Sequence, residues 1–205
     1  MRQFSKLSII VSHDFPDGED GDATIEVNNG HSSIQVSNFA TALSMLPFGS
    51  RVQVVARGTV GNKTVHKLNN IIRNGNVLVD LDLSDVTECS RVQNSPFEGN
   101  SNLLVMRFPK NLIAINPRAF AGCTALEAIS VPATCMTIGA EAFLGCNKLV
   151  SLAFANTDGW LYDAPDGSAQ SVVNLHDAAE NPALFIDARG AYASCKLYKA
   201  GAKLL

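Results

Sequence analysis

The sequence predicts an α/β fold in which a curved parallel β-sheet is built as a solenoid, with one strand in each turn. An apolar phrase that opens at Leu103 recurs at Leu126 and again at Leu149, so its two steps are identical. A second phrase, Ala-Phe-x-Gly-Cys, recurs in register with the first at positions 119–123 and 142–146. A fixed period of roughly 20–50 residues is the signature of a solenoid, in which each unit buries its apolar face only against its neighbours.

Residues 1–50 lack the repeat and are predicted to form an N-terminal cap of strands and one helix. Apolar residues alternate over 7–11 and 25–27, which predicts two strands. Ser37 is the predicted N-cap of a helix that Pro47 ends. A strand and a helix of this kind would cover the apolar face of the first solenoid turn.

Residues 51–158 are predicted to form the solenoid itself. Its first strand is expected at 51–56, followed by a helix that begins at Thr64 and ends at Asn74-Gly75. The next strand is expected at 77–83, so strand, helix and strand form one parallel right-handed crossover. Leu78 is taken as the counterpart of Leu103. The spacing between these two residues is two longer than the spacing between later repeats, which predicts a two-residue insertion near 85–88.

Residues 159–205 are predicted to form a β-rich C-terminal cap. Asp163–Gly167 is a turn signal between two short strands, the second near Ser171–Val173. A short helix over 176–180 would be broken by Asn181-Pro182, and final strands are expected at 184–186 and 195–198.

Alternation within each strand predicts which side chains face the core. The apolar side chains at the end of each strand should point inward and stack on their counterparts one turn away; these are Met106 with Phe108, Ile129 with Val131, and Leu152 with Phe154. Phe97, Phe120 and Phe143 recur on the same step and are predicted to form a spine behind the sheet. Five cysteines, four of them at repeated positions, are predicted to be free buried thiols.

The run from Ile115 to Pro132, with Ala119-Phe120, Cys123, Leu126 and Ile129 at fixed spacing, resembles the BspA-like leucine-rich repeat. That family includes surface proteins of host-associated bacteria, among them treponemal spirochaetes. The resemblance covers about residues 52–154 and implies a leucine-rich-repeat solenoid that binds proteins outside the cell, often in attachment to host components. It implies the cell surface or the periplasm, although the N-terminal residues show no export signal.

If the ladder residues face inward, the alternate strand positions face the concave side and form the candidate binding surface. They are Asp80, Asp82, Val105, Arg107, Ala128, Ser130, Ser151 and Ala153. An ion pair between Arg107 and Asp82 on neighbouring strands is favoured over a role of Arg107 in ligand binding. Trp160 and Tyr162 are the candidate apolar anchors, although a place in the core of the C-terminal cap is favoured for both.

Composition and motifs exclude several classes of function. The net charge is −3 and no basic stripe is present, so nucleic acid is not a predicted partner. No apolar run approaches the roughly 18 residues of a membrane span. The chain lacks Gly-x-Ser-x-Gly, His-Glu-x-x-His, P-loop and Cys-x-x-Cys motifs, so neither an enzyme nor a cofactor is predicted. The acidic stretch 14–22 does not have EF-hand spacing, and no metal site is predicted.

Three hypotheses for function follow from these patterns. The first is a non-enzymatic module, expected to be a monomer, that binds a protein or peptide through the concave face or the neighbouring C-terminal cap. The second is a small-molecule or glycan binder with an apolar pocket near Trp160 and Tyr162. The third is an assembly role in which a sheet edge or a cap pairs with another copy of the chain.

Overall fold

A computed structural model describes residues 7–12, 23–27, 32–36, 43–59, 62–87, 91–92, 97–173 and 175–202. Within them the strands are β1 Leu7–Ser12, β2 Ala23–Val27, β3 Ser32–Val36, β4 Arg51–Thr59, β5 Leu78–Thr87, β6 Arg91–Val92, β7 Leu103–Arg107, β8 Ala114–Ile115, β9 Ala128–Val131, β10 Thr137–Ile138, β11 Ser151–Phe154, β12 Trp160–Asp163, β13 Ala169–Ser171 and β14 Leu197–Lys199. Helix α1 spans Asn62–Asn74, and a short 3-10 helix spans Asn181–Leu184.

The main sheet confirms the predicted solenoid of parallel strands. Its order is β11-β9-β7-β5-β4-β1-β2-β3, and the pairs from β11 through to β1 are all parallel. At the N-terminal end, β1, β2 and β3 form an antiparallel meander that continues the same sheet. The N-terminal region therefore adds three strands where the sequence predicted two. Of the helix predicted from Ser37, residues 43 and 44 are helical and the earlier ones lie outside the described residues.

A second sheet closes the back of the solenoid. Its order is β13-β12-β14-β10-β8-β6, and the short parallel strands β6, β8 and β10 recur with the period of the repeat. The C-terminal strands β12, β13 and β14 join this sheet in antiparallel pairing, as a β-rich cap should. Because both ends of the chain extend the two sheets, the division at residues 50 and 158 stays a prediction.

The pairing of β5 with β7 differs at one position from the pairing that the repeat predicted. Val79, and not Leu78, pairs with Leu103, and the register then shifts so that Asp80 pairs with Val105. Leu104 is the extra residue at this bulge and is itself buried.

The predicted insertion in this unit is present. In the main sheet Asp82 pairs with Arg107. In the second sheet Arg91 pairs with Ala114, and the partners of this pair are closer in sequence by two positions. Two extra residues therefore lie between Asp82 and Arg91, in the predicted region.

Further elements differ from the sequence prediction, and the short helix expected over 176–180 is wrong, because residues 178–180 form a turn that leads into the 3-10 helix. Helix α1 begins at Asn62, two residues before the predicted cap, and ends at Asn74 as predicted. The prediction of a strand over 184–186 is wrong, because the 3-10 helix extends to Leu184 and a turn follows it. Pro182 lies in the first turn of that helix, where the missing N–H of proline leaves no hydrogen bond broken.

Apolar ladders fill the space between the two sheets. Met106 pairs with Ile129, and Ile129 pairs with Leu152, in three adjacent parallel strands. Each of the three side chains is at most 3% exposed. Phe108 and Val131 are also buried, and Phe154 packs partly buried against the same core. The predicted inward positions are therefore confirmed.

The phenylalanine spine is continuous from the first regular turn into the C-terminal cap. The ring centroids of Phe97 and Phe120 lie 5.2 Å apart, and those of Phe120 and Phe143 lie 5.9 Å apart, both pairs stacked. Phe185 of the cap meets Phe143 edge-on at 6.0 Å. The last ring of the spine is therefore covered by an aromatic residue that lies outside the repeat.

Helix α1 is attached to the following turn through asparagine side chains. Asn102 Nδ2 donates to the carbonyls of Ile72 and Gly75 at 2.9 and 2.8 Å, which caps the C-terminus of the helix. The buried side chain of Asn100 donates to Asn69 Oδ1 at 2.6 Å. Polar side chains thus join the helix to the solenoid at a place where both would otherwise bury unpaired groups.

The C-terminal cap covers the edge of the last strand of the main sheet. The Leu152 N–H donates to the Ala178 carbonyl at 2.8 Å. The fully buried Asn181 donates through Nδ2 to the Leu152 carbonyl at 2.7 Å. Both backbone groups of Leu152 are therefore satisfied by the cap, and β11 does not present them to another chain.

Phe120→Ala should lower the free energy of unfolding by about 3–5 kcal/mol, because it removes the central ring of the spine from a fully buried position. Urea denaturation followed by circular dichroism measures this change. Phe48→Ala is the matched control, since Phe48 is 87% exposed, and its effect should stay within about 0.5 kcal/mol. Equal effects of the two variants would contradict the spine.

Gly139→Ala should destabilise the protein by more than about 3 kcal/mol, because an added Cβ would meet backbone that cannot move aside freely. It would lie 2.1 Å from the nitrogen of Pro117 and 2.5 Å from the carbonyl carbon of Asn116. Gly159→Ala is the control: Gly159 has a φ of +70° and open space around it, so strain alone should cost about 1–2 kcal/mol. Thermal unfolding that ranks the two variants in the opposite order would show that the turns are not packed this closely.

Stability should fall between pH 9 and pH 11 through Cys135, because burial raises the pKa of its thiol from 9.0 to about 11. The folded state holds the proton where the unfolded state releases it, so the contribution is complete below pH 9 and is lost as the pH rises. We expect the difference in unfolding free energy between the wild type and Cys135→Ala to shrink by about 2 kcal/mol over this range. A constant difference would mean that the Cys135 thiol is solvated.

Candidate binding surface

The eight residues predicted to face outward are brought together on one face of the main sheet. The registers place them in two rows across β5, β7, β9 and β11, namely Asp80, Val105, Ala128, Ser151 and Asp82, Arg107, Ser130, Ala153. All eight side chains are exposed or half-buried. We call this set of eight residues the open face.

Both rows continue onto β4, which the sequence analysis did not include. Gln53 pairs with Asp80, Val55 pairs with Asp82, and both β4 side chains are half-buried. The period of two along β4 was visible in the sequence, so extending the alternation by one strand would have found these residues.

The N-terminal half of the open face carries the charges. Arg107 Nη1 lies 3.8 Å from Asp82 Oδ2, so the predicted cross-strand ion pair is confirmed. Asp80 is held by Arg51, whose Nε and Nη2 donate to the two carboxylate oxygens at 3.1 Å each. Arg51 is more than half exposed, and exposed pairs of this kind contribute only about 0.2–1 kcal/mol to stability.

Arg51 also reaches a residue that follows much later in the chain. Its Nη1 lies 3.5 Å from Glu127 Oε2, immediately before β9. Sequence analysis missed this contact, because it depends on a side chain crossing two intervening strands and not on the repeat.

The C-terminal half of the open face is made of small neutral side chains. Ala128, Ser130, Ser151 and Ala153 occupy both rows on β9 and β11. Val150, immediately before β11, is 67% exposed. Side chains this short leave the sheet backbone within reach of a ligand that lies flat on it.

Trp160 does not provide the exposed apolar anchor that was considered for it. It is 2% exposed, meets Phe154 edge-on at 5.9 Å, and donates from Nε1 to the Asn156 carbonyl. Tyr162 is half-buried, and its ring lies 5.3 Å from that of Tyr192. Both residues pack in the C-terminal cap, as the favoured alternative predicted, and a pocket built on Trp160 loses its anchor.

A surface depression of about 430 Å³ lies elsewhere, beside helix α1. Ser44, Ile71, Asn74 and Asn76 are among its lining residues. It is therefore remote in the fold from the C-terminal cap, where the small-molecule hypothesis had expected a pocket.

In the part of the chain that the structure describes, no group of three or more His, Cys, Asp or Glu side chains is placed to hold a metal ion. Among the same residues, no helix has the length and apolar character needed to cross a bilayer.

Cys123, Cys135 and Cys146 are free and buried, and Cys123 Sγ donates to the Phe97 carbonyl at 2.9 Å.

Comparison with known protein families gives a match to part of the chain. No curated protein matches the chain. Residues 73–161 match the family model described as "BspA type Leucine rich repeat region (6 copies)". Leucine-rich repeats are in general protein-interaction modules and typically non-enzymatic scaffolds. This range includes β5 to β11, with the open face and the phenylalanine spine, and the chain therefore contains a BspA type leucine-rich repeat region at residues 73–161.

Proposed function

We propose that this chain is a non-enzymatic module that binds a protein or peptide on the open face. The observation that supports this most is the register of its outward side chains, which form two straight rows across four neighbouring strands. Strands joined by backbone hydrogen bonds on a packed core hold these rows rigidly, so binding requires little loss of conformational entropy on the side of this chain.

The composition of the open face suits an extended segment of protein. Small side chains on β9 and β11 admit a backbone close to the sheet, while the charged groups on β5 and β7 offer directional contacts. Exposed ion pairs contribute little to folding stability. Replacing such a pair by a contact with a partner therefore costs little folding stability.

Binding as a monomer is part of the proposal. Leu152 on the outer edge of β11 has both backbone groups bonded by the cap, to Ala178 and Asn181. This argues against assembly through that edge, which the third hypothesis invoked. The resemblance to surface proteins of host-associated bacteria favours a host protein as partner, with attachment as the outcome.

Ala153→Arg should weaken binding strongly, because a long charged side chain in the second row would fill the neutral half of the open face. The test screens the full chain against extracellular-matrix proteins and a random peptide library, then repeats the measurement on each hit. We expect at least about a tenfold loss of affinity for Ala153→Arg.

The matched control is Ala191→Arg in the C-terminal cap. Ala191 is exposed, and the next residue, Tyr192, donates from its backbone N–H to the Leu184 carbonyl within the cap. Its substitution should leave every hit unchanged. Hits that tolerate Ala153→Arg but not Ala191→Arg would move the binding surface to the cap.

A further inference from the structure

Arginines that reach across the turns of this solenoid bridge pairs of carboxylates. Arg118 donates to Glu98 Oε1 from Nη2 at 2.6 Å and to Glu141 Oε2 from Nη1 at 2.5 Å. Arg51 likewise holds Asp80 by two hydrogen bonds and lies 3.5 Å from Glu127. In both cases one guanidinium joins two carboxylates, which uses donors on more than one of its edges.

Arg107 has the same exposure as Arg118 but, within the part of the chain that the structure describes, a single acidic partner. Its side chain is 49% exposed, as is that of Arg118, so burial does not explain the difference. Among the described residues its ion-pair partner is Asp82, at 3.8 Å, which is beyond hydrogen-bond distance. On its other side, the residue that pairs with Arg107 on β9 is Ser130, which carries no charge.

We propose that Arg107 receives the terminal carboxylate of a peptide that lies over the neutral half of the open face. This inference rests on the proposed function and names the chemistry of its partner. A carboxylate over Ser130 would occupy, relative to Arg107, the place that Glu141 occupies relative to Arg118. Arginine favours this group because its planar donors match two carboxylate oxygens at once.

A chain terminus fits this position better than an internal acidic residue. A peptide that continued past Arg107 would cross β5, where Asp80 and Asp82 present two carboxylates. A peptide that ends at Arg107 avoids them and extends the other way, over Ser130 and Ala153. Two strand spacings amount to roughly 10 Å, which about three residues of extended peptide span.

The test uses a random peptide library with free C-termini and its C-terminally amidated twin, both selected on the full chain. Peptides should be enriched from the free-acid library. Each enriched peptide, resynthesised as the amide, should bind about ten- to a hundredfold more weakly, as expected for loss of a charge-assisted pair.

Variants of Arg107 attribute the effect to this guanidinium. Arg107→Gln should weaken the free acid as much as amidation does and should bind acid and amide equally. Arg107→Lys keeps the charge without the two-point geometry and should recover only part of the affinity. Arg189→Gln is the matched control, because Arg189 is 91% exposed in the cap and pairs with Asp187; it should keep the full difference.

The outcomes separate this inference from the proposed function. If acid and amide bind equally and Ala153→Arg weakens the binding of both at least about tenfold, the open face binds peptides but Arg107 does not hold their termini. Tolerance of extra residues appended after the terminus, or a preference for acid that survives Arg107→Gln, overturns the terminal assignment. Enrichment from neither library contradicts peptide binding at the open face itself.

Discussion

Stacking of one phenylalanine ring per turn is the interaction on which the rest of this structure depends. Phe97, Phe120 and Phe143 lie nearly parallel, with interplanar angles of 3° and 16° between neighbours. Because each ring is fixed on the next, the turn that carries it cannot slide along the strand direction. That constraint sets the register of Met106 against Ile129, and with it the alignment of every side chain that faces outward.

The same constraint explains where polar groups enter the interior. Cys123 and Cys146 share one repeated position, and their thiols donate to the carbonyls of Phe97 and Phe120 in the preceding turn. Asn100 holds this position in the turn that faces helix α1, and it bonds Asn69 on the helix. A small weakly polar side chain therefore suffices between two similar turns, whereas the junction with a helix requires an amide that satisfies both sides.

Features that follow from the period were predictable from the sequence, and features that depend on contacts outside it were not. The period predicted the spine, the inward ladders and the two rows of the open face. It missed the bulge at Leu104 and the reach of Arg51 to Glu127, because neither recurs. It left Trp160 open between core and surface, which only the packing against Phe154 decides. Two of the three strands of the meander from β1 to β3 were predicted; β3 was missed, since it begins with two serines that weaken its alternation.

The two sides of each strand carry residues under different physical constraints. The inward positions must stay apolar, since burying a large side chain contributes about 1.5–3 kcal/mol. The outward positions carry ion pairs worth about 0.2–1 kcal/mol, so the fold constrains them little. Charge has nevertheless accumulated on β5 and β7, next to uncharged β9 and β11. The fold does not require this uneven distribution of charged side chains. Contact with an asymmetric partner would select it, and Arg107 lies at the boundary between the charged and the neutral half.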